Sequence, residues 1–209
     1  MNTCAAALKR NSSRAYIHRD GRTLRLHWML SPVRRHIVME YALHQASVVV
    51  FRRYLALLAA LLVRARAHAG ADGDTALLDA RLAVDMLPLH VQVEIVANFA
   101  LRASFPLAGQ PVPDYGAFPI GFDGLHARLG YCLGLLDRLT PEHFADAATR
   151  VISDRAGDAE LSLPAPEFLF QYALPNFFFH LTTVYAILRS RGVAVGKADF
   201  DGYHRYPRR

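Results

Sequence analysis

Apolar residues recur at three- and four-residue steps in four long segments of this chain. The first segment, residues 40–68, ends just before Gly70 and carries one apolar stripe formed by Val48, Phe51, Leu55, Leu58 and Leu62. Such spacing is typical of a helix with one buried face. We predict three further long helices at residues 88–105, 122–139 and 167–191, and a short helical piece at residues 74–84.

The segments between these helices are rich in proline and glycine. Residues 106–121 hold four prolines and three glycines, which predicts a surface loop or an extended link. Thr140, Pro141 and Glu142 are typical of the first positions of a short helical turn. Residues 145–166 predict a loop or a small hairpin with residues 160–163 as a strand, and Pro175 predicts a kink in the fourth helix.

Four apolar-striped helices of about 20 residues favour an all-α four-helix bundle. We expect one bundle domain over residues 39–203, preceded by an extension at 1–38 and followed by a basic tail at 204–209. The fourth helix is apolar nearly all round, so it lies centrally or is covered by a partner chain. The longest apolar run, Tyr54–Val63, has ten residues. A membrane span needs about 18, so no membrane partner is expected.

The basic charge of the chain is confined to its first 38 residues. The whole chain carries +6, but residues 1–38 hold eight basic side chains and one acid, which leaves −1 for the rest. The near-neutral body has no basic face to bind nucleic acid. Nucleic-acid contact through these first 38 residues, which we call the leader, is therefore one of three hypotheses about function.

We interpret residues 1–38 as a poorly ordered extension ahead of a later natural start such as Met39. The alternative is a transit peptide or a nucleic-acid arm, since the leader is rich in arginine and nearly free of acids. On the first interpretation, a chain that begins at Met39 should be soluble and melt close to the full chain. A melting temperature far below that of the full chain would show that the leader packs on the bundle.

Common catalytic and metal-binding motifs are missing from the sequence. There is no G-x-S-x-G and no G-x-G-x-x-G, and none of the ten histidines lies three or four residues from another. A zinc pair on one helix face is therefore not encoded in the usual way. Two distant cysteines, Cys4 and Cys132, suit a reducing compartment, so a cytoplasmic location is expected.

The fourth helix still carries one polar stripe, which recurs at steps of four, four and three residues and consists of Tyr172, Asn176, His180 and Thr183. On the second helix, Gln92 lies on the face predicted to point inward. These residues could line a pocket in which His180 is a candidate acid, base or single metal ligand. The alternative is a satisfied polar stripe in which His180 bonds a facing residue. Gln92 on the inward face also needs a partner, which a facing His180 or Asn176 could supply.

A second set on the second helix follows strict four-residue spacing and consists of His90, Glu94, Asn98 and Arg102. Two of these side chains could serve as a pair of metal ligands. We interpret it instead as a solvated stripe with local ion pairing, because residues four apart on an exposed helix face are neighbours.

Two segments carry a resemblance to a known family, namely ARLAVDMLPLHVQVEIV at Ala80–Val96 and YALPNFFFHLTTVYAILRSRGVAVGKADF at Tyr172–Phe200. They resemble a bacterial domain-of-unknown-function family, DUF1993, within the DinB/YfiT-like metalloenzyme superfamily. The resemblance runs from about Tyr41 to Phe200. It implies a four-helix bundle with a long crossover, often a homodimer, in a superfamily whose members include thiol-dependent transferases and metal-dependent hydrolases.

The resemblance also implies where a metal site would lie. The superfamily uses three histidines, one on the second helix and two spaced H-x-x-x-H on the fourth. By resemblance, His180 matches the last of these, Asn176 stands in its partner's position and Gln92 lies near the position on the second helix. Two of the three ligands are therefore replaced by amides, and we expect no stoichiometric metal and no other cofactor.

Two further hypotheses about function follow. The first is an enzyme-derived small-molecule pocket, of unidentified ligand, lined by Gln92, Tyr172, Asn176 and Thr183 around His180. The second is a non-catalytic bundle that dimerises or binds a ligand, with the same residues as satisfied core. The first requires His180 at the base of a cavity, and the second requires it packed shut.

Overall fold

The computed structural model describes residues 17–19, 22–24, 41–70 and 73–204. Within the leader, strand β1 (Ile17–Arg19) pairs antiparallel with β2 (Arg22–Leu24). The other leader residues, Cys4 and Met39 among them, and residues 205–209 of the basic tail lie outside the described residues. The predictions made for them stay predictions.

Four long helices form the body, as the apolar spacing predicts. Helix α1 is Tyr41–Ala69, the short α2 is Asp74–Leu78, α3 is Leu89–Leu107 and α4 is Phe122–Leu136. Helix α5 covers residues 165–190, and the short α6 is Lys197–Asp201. The chain is thus an all-α bundle. The short helix is smaller than the predicted segment 74–84, since residues beyond Leu78 form turns.

Contacts between the helices define how they run. The rings of Phe51 and Phe177 lie 4.8 Å apart, and His68 Nε2 lies 3.0 Å from the carbonyl oxygen of Arg191, so α1 and α5 are parallel. Ion pairs of Arg52 with Asp137 and of Arg66 with Asp123 make α4 antiparallel to α1. Helix α3 is antiparallel to α5, as the site below shows.

Consequently α3 and α4 are parallel, and the chain must return along the bundle between them. Helix α3 is about 28 Å long at 1.5 Å per residue, and residues 108–121 cover that distance without any helix. This is the expected long crossover. Pro111 and Pro113 suit it, because proline favours an extended backbone.

A β-hairpin precedes the last long helix. Strand β3 (Val151–Ala156) pairs with β4 (Ala159–Pro164), so that Ile152 lies opposite Leu163 and Asp154 opposite Leu161. The predicted strand at 160–163 lies within β4. Before the hairpin, Thr140 caps a 3₁₀ turn at Pro141–Phe144, with the His143 imidazole accepting from the Thr140 backbone N–H, as its sequence indicated.

Pro175 does not simply kink the fourth helix. The turns just before it, Phe168–Ala173, are π-helical, and the α-helical geometry resumes at Leu174. Proline has no N–H for the carbonyl four residues back and its ring clashes with it, so a wider turn relieves both problems. A second π segment, Gln45–Val49, lies near the start of α1.

Helix α1 is long and apolar enough to cross a membrane by length and mean hydropathy (1.9). Its apolar stripe nevertheless packs inside the bundle, where Phe51, Leu55 and Leu58 are fully buried. Its arginines pair with acids of the neighbouring helices, for example Arg64 with Asp199. These contacts are those of a helix that buries one apolar face in the bundle. The free thiol of Cys132 on α4 is also buried, and burial raises its pKa to about 11.

Candidate functional site

His180 and Gln92 meet between helices α5 and α3. Gln92 is only 2% exposed, on the inward face of α3. Its Oε1 lies 2.6 Å from Nδ1 of His180, and its Nε2 donates to the carbonyl oxygen of Leu87 at 3.2 Å. Of the two partners that the sequence offered for Gln92, His180 and Asn176, the structure selects His180. This pair links α5 through α3 to the turn that precedes α3.

The orientation of the Gln92 amide determines which ring nitrogen of His180 carries the proton. The carbonyl of Leu87 can only accept, so Nε2 of Gln92 must point to it and Oε1 must face the imidazole. Nδ1 of His180 is then the donor. Burial lowers the pKa of His180, which favours the neutral ring at pH 7. Nε2 of His180 is therefore left unprotonated, as an acceptor.

Aromatic rings flank the imidazole of His180. Phe99 stacks on it with ring centroids 6.1 Å apart and an interplanar angle of 24°, and Phe179 meets it edge-on at 5.2 Å. Phe99 also contacts Tyr172, about two turns earlier on α5, at 6.0 Å. These contacts confirm the antiparallel course of α3 and α5. They hold His180 half-buried in a mostly apolar setting.

The other members of the polar stripe bond to their own helix. Asn176 Nδ2 donates to the carbonyl oxygen of Tyr172 at 2.7 Å, and Thr183 Oγ1 donates to that of Phe179 at 2.8 Å. Thr183 is 5% exposed. The structure thus brings His180 and Gln92 together, whereas Asn176 and Thr183 direct their donors to backbone carbonyls.

Tyr172 lies beside a charged pair that sequence reasoning missed. Arg102 binds Asp154 of the hairpin through two nitrogens, at 2.7 and 3.2 Å, and donates to the carbonyl of Arg155 at 2.8 Å. The buried hydroxyl of Tyr172 has no hydrogen-bond partner among the described residues. Burial, and next the Asp154 carboxylate, raise the pKa of Tyr172.

The interpretation of the four-residue stripe on α3 as solvated with local pairing is therefore wrong. Its members interact with three neighbouring elements and not with one another: His90 with the carbonyl of Leu78, Glu94 and Asn98 with the guanidinium of Arg128 on α4, and Arg102 with the hairpin. Arg102 and Asp154 are only 19% and 14% exposed. Burial alone would lower the pKa of Arg102, but Asp154 more than offsets this and raises it. No pattern in the sequence indicated that Arg102 would pair with Asp154, which lies 52 positions further along the chain.

A cavity of about 410 Å³ opens along helix α5. Its lining consists of Leu82, Phe178, Phe179, Thr182, Thr183 and Ala186. Thr183 is the one predicted pocket residue among them. A cavity with His180 at its base, beside Tyr172, Asn176 and Gln92, stays a prediction.

The donor set at His180 does not suit a metal ion of the kind the superfamily holds. One imidazole stands where three would be needed, and Gln92 Oε1 on the facing helix already accepts from Nδ1–H of that imidazole. Asn176 turns its amide nitrogen to a backbone carbonyl, and amide oxygens are poor zinc ligands beside imidazole. Across residues 41–70 and 73–204, no three His, Cys, Asp or Glu side chains converge as a metal site.

Comparisons with known proteins agree with the resemblance read from the sequence. A family model described as "Domain of unknown function (DUF1993)" matches residues 43–201. A crystal structure of a DinB family member protein from Shewanella denitrificans is similar, with 34% identity and a TM-score of 0.73. The match covers 83% of this chain and 99% of that chain. No curated protein matches the chain. The family resemblance and the bundle fold are both confirmed.

Proposed function

We propose, because the chain belongs to the DUF1993 family of the DinB-like superfamily, that it is a non-catalytic binding bundle in which a hydrogen-bonded pair stands at the superfamily's metal position. The pair is His180 and Gln92. This hydrogen-bonded pair, which we call the strut, connects α3 to α5, the second and fourth long helices. The bundle then works by binding a second copy or a ligand, and metal-dependent chemistry is not its activity.

The single observation that carries this proposal is the 2.6 Å hydrogen bond between His180 Nδ1 and Gln92 Oε1. A catalytic zinc takes three protein ligands with one open position. His180 Nε2 is the one imidazole nitrogen with a free lone pair at this position, because the residue facing it is the amide Gln92. Here Gln92 is satisfied on both its amide atoms and is almost fully buried. Breaking this arrangement to bind a metal would leave the carbonyl of Leu87 without its donor, which costs free energy.

Thermal unfolding with and without Zn²⁺, after treatment with a chelator, tests the proposal. The wild-type melting temperature should not respond to Zn²⁺. The double variant Gln92→His/Asn176→His restores three imidazoles and should gain a Zn²⁺-dependent rise. At a hundred times the dissociation constant that rise corresponds to about 2.7 kcal/mol. For a chain of this size it amounts to roughly 5–10 °C.

Adding His180→Leu to the double variant is the matched control, and it should abolish the gain. A Zn²⁺-dependent rise in the wild-type protein that His180→Leu removes would refute the proposal, because it would show a working metal site. A double variant that gains nothing would show that these three positions do not converge, and the assignment of the metal position would then be wrong.

A second candidate function is the enzyme-derived small-molecule pocket. The neutral His180 ring favours it, since an unprotonated Nε2 is suited to accept a proton or a hydrogen bond from a ligand. This reading requires that a ligand perturb the imidazole. Small-molecule fragments screened against the ¹⁵N signals of His180 test it, and binding without any change at His180 would exclude the pocket.

The proposed compartment is the cytoplasm. The buried free thiol of Cys132 supports this placement, because a reducing environment keeps such a cysteine unpaired.

A further inference from the structure

A second polar cluster lies about two turns from His180 along α5, under the β3–β4 hairpin. Arg102 of α3 donates two hydrogen bonds to the Asp154 carboxylate and one to the carbonyl oxygen of Arg155. Both charged side chains are largely buried. The planar guanidinium fork matches the two oxygens of a carboxylate, and proteins use this bidentate geometry to recognise carboxylate groups.

The guanidinium of Arg102 is also held from its own helix. Its Cζ lies over the ring of Phe99, 4.7 Å from the ring centroid. Phe99 is buried and is itself fixed by ring contacts with Tyr172 and His180. A cation is attracted to the face of an aromatic ring. The fork therefore keeps its place on α3 even when Asp154 moves away.

The hydroxyl of Tyr172 is a hydrogen-bonding group in this cluster that Asp154 leaves unused. It is buried and has no hydrogen-bond partner among the described residues. Burial raises the pKa of Tyr172, the Asp154 carboxylate raises it further and the Arg102 guanidinium lowers it, so the hydroxyl lies near both charges. A buried hydroxyl without a partner costs free energy. A carboxylate placed slightly differently from that of Asp154 can accept from Tyr172 as well as from Arg102.

Solvent reaches the Asp154 carboxylate through a cavity of about 480 Å³ on the hairpin. Its lining consists of Ser153, Asp154, Arg155, Glu160, Leu161 and Ser162. The base of the hairpin is anchored, because Arg150 donates to the carbonyl oxygens of Leu107 and Ala145 and Ile152 is buried. The three hydrogen bonds from Arg102 lie further out, at Asp154 and Arg155. The outer half can therefore shift about a fixed base when those bonds are exchanged.

We propose that Arg102 and Tyr172 form a binding site for a small carboxylate ligand, and that Asp154 fills this site as an internal substitute that the ligand displaces. The proposal rests on the proposed function of a binding bundle and names the class of its ligand. The ligand carboxylate keeps the two hydrogen bonds from Arg102 and gains a third from Tyr172. Because Asp154 is tethered to the same chain, it competes at an effective concentration on the order of millimolar or above. Simple carboxylates therefore bind the wild-type protein weakly.

Thermal unfolding of the full chain in sodium acetate, compared with sodium chloride at the same ionic strength, tests the site. Asp154→Ala removes the internal competitor, so acetate should raise the melting temperature of this variant at concentrations about tenfold or more below those that the wild type needs. Adding Tyr172→Phe to Asp154→Ala should weaken acetate binding by about tenfold, because it removes one hydrogen bond to a charged group. Adding Arg102→Gln instead should abolish the response to acetate.

Asp123→Ala is the matched control, because Asp123 accepts two hydrogen bonds from Arg66 in the same way but on the exposed surface. This variant should respond to acetate no more than the wild type does. A response of Asp154→Ala that equals that of Asp123→Ala, or that survives Arg102→Gln, would overturn the proposal. A response that Tyr172→Phe leaves unchanged would remove Tyr172 from the site.

The wild-type protein supplies a test that needs no folded variant. Displacement of Asp154 frees the outer half of the hairpin, where the exposed Arg155 is a site for trypsin. Acetate should therefore speed cleavage after Arg155, followed by mass spectrometry, by about threefold or more over chloride, while cleavage after the exposed Arg191 stays the same. An unchanged rate at Arg155 would overturn the displacement of Asp154. None of these outcomes bears on the Zn²⁺ response, so failure here and failure of the proposed function can be told apart.

Discussion

The strut between Gln92 and His180 can be tested by removing each partner separately and then both. Gln92→Leu keeps a side chain of similar size on the inward face of α3 but removes two hydrogen bonds. It leaves Nδ1–H of His180 and the carbonyl of Leu87 without partners. His180→Leu conversely leaves Oε1 of Gln92 unpaired at a position that is 2% exposed.

The expected magnitudes follow from burial. An unpaired buried polar group costs about 1–3 kcal/mol. His180 is half-buried and can turn its free donor toward water, so we expect about 2 kcal/mol for Gln92→Leu. Gln92 is almost fully buried, so His180→Leu should cost about 2–3 kcal/mol. The double variant leaves neither side-chain partner stranded. It should therefore cost less than the sum of the two by about 1–2 kcal/mol, which is the coupling of residues in direct contact.

Urea unfolding followed by circular dichroism measures these free energies for all four proteins. A loss of about 2 kcal/mol should also lower the melting temperature by about 4–8 °C in a chain of this length. The dependence on urea should not change in slope, because the surface exposed on unfolding is nearly the same in each protein.

Additive stability losses in the two single variants would refute a direct interaction between Gln92 and His180. If the two single losses sum to that of the double variant within about 0.5 kcal/mol, the residues do not interact in solution. A His180→Leu protein as stable as the wild type would also contradict the strut. It would instead favour a solvated pocket in which the partners of His180 turn to water.

Two other predictions concern charged groups away from the strut. Asp154→Asn leaves the largely buried Arg102 without its carboxylate and should destabilise the fold by about 3 kcal/mol, the lower end for breaking a buried pair, because both side chains keep some exposure. Asp123→Asn at an exposed pair should change little in the same urea assay. Burial alone would raise the pKa of Asp201, but two backbone N–H groups and a neighbouring imidazole lower it to about 2. Its stabilising effect is therefore present above its ordinary pKa of 3.8 and lost as the pH falls toward 2. Acid unfolding of Asp201→Asn should have a weaker pH dependence in that interval, and an unchanged profile would contradict this.

The helices were predictable because their signals are local. Apolar residues at three- and four-residue steps mark α1 and α3, and Gly70, with a φ of +70°, ends α1 where the sequence placed the stop. The π turns before Pro175 were not predictable in the same way. The sequence shows that proline disturbs the helix, but packing decides whether the backbone bends or widens.

The site was predictable only in part. Gln92 drew attention because an amide on an apolar face needs a partner, and His180 is that partner. By contrast, Asn176 and Thr183 share the stripe with His180 but bond their own backbone, a choice that helical spacing does not reveal. The pairing of Arg102 with Asp154 depends on where the hairpin folds back, which is a property of the tertiary structure.

The central claim is that His180 donates a hydrogen bond to Gln92 and holds no metal, and long-range ¹H–¹⁵N NMR of the imidazole tests it most directly. The signals are assigned by their loss in His180→Leu. We predict a neutral ring at neutral pH, protonated at Nδ1 and unprotonated at Nε2, with ¹⁵N shifts that Zn²⁺ does not change. A ring protonated at Nε2, or ¹⁵N shifts that move in proportion to added Zn²⁺, would contradict it.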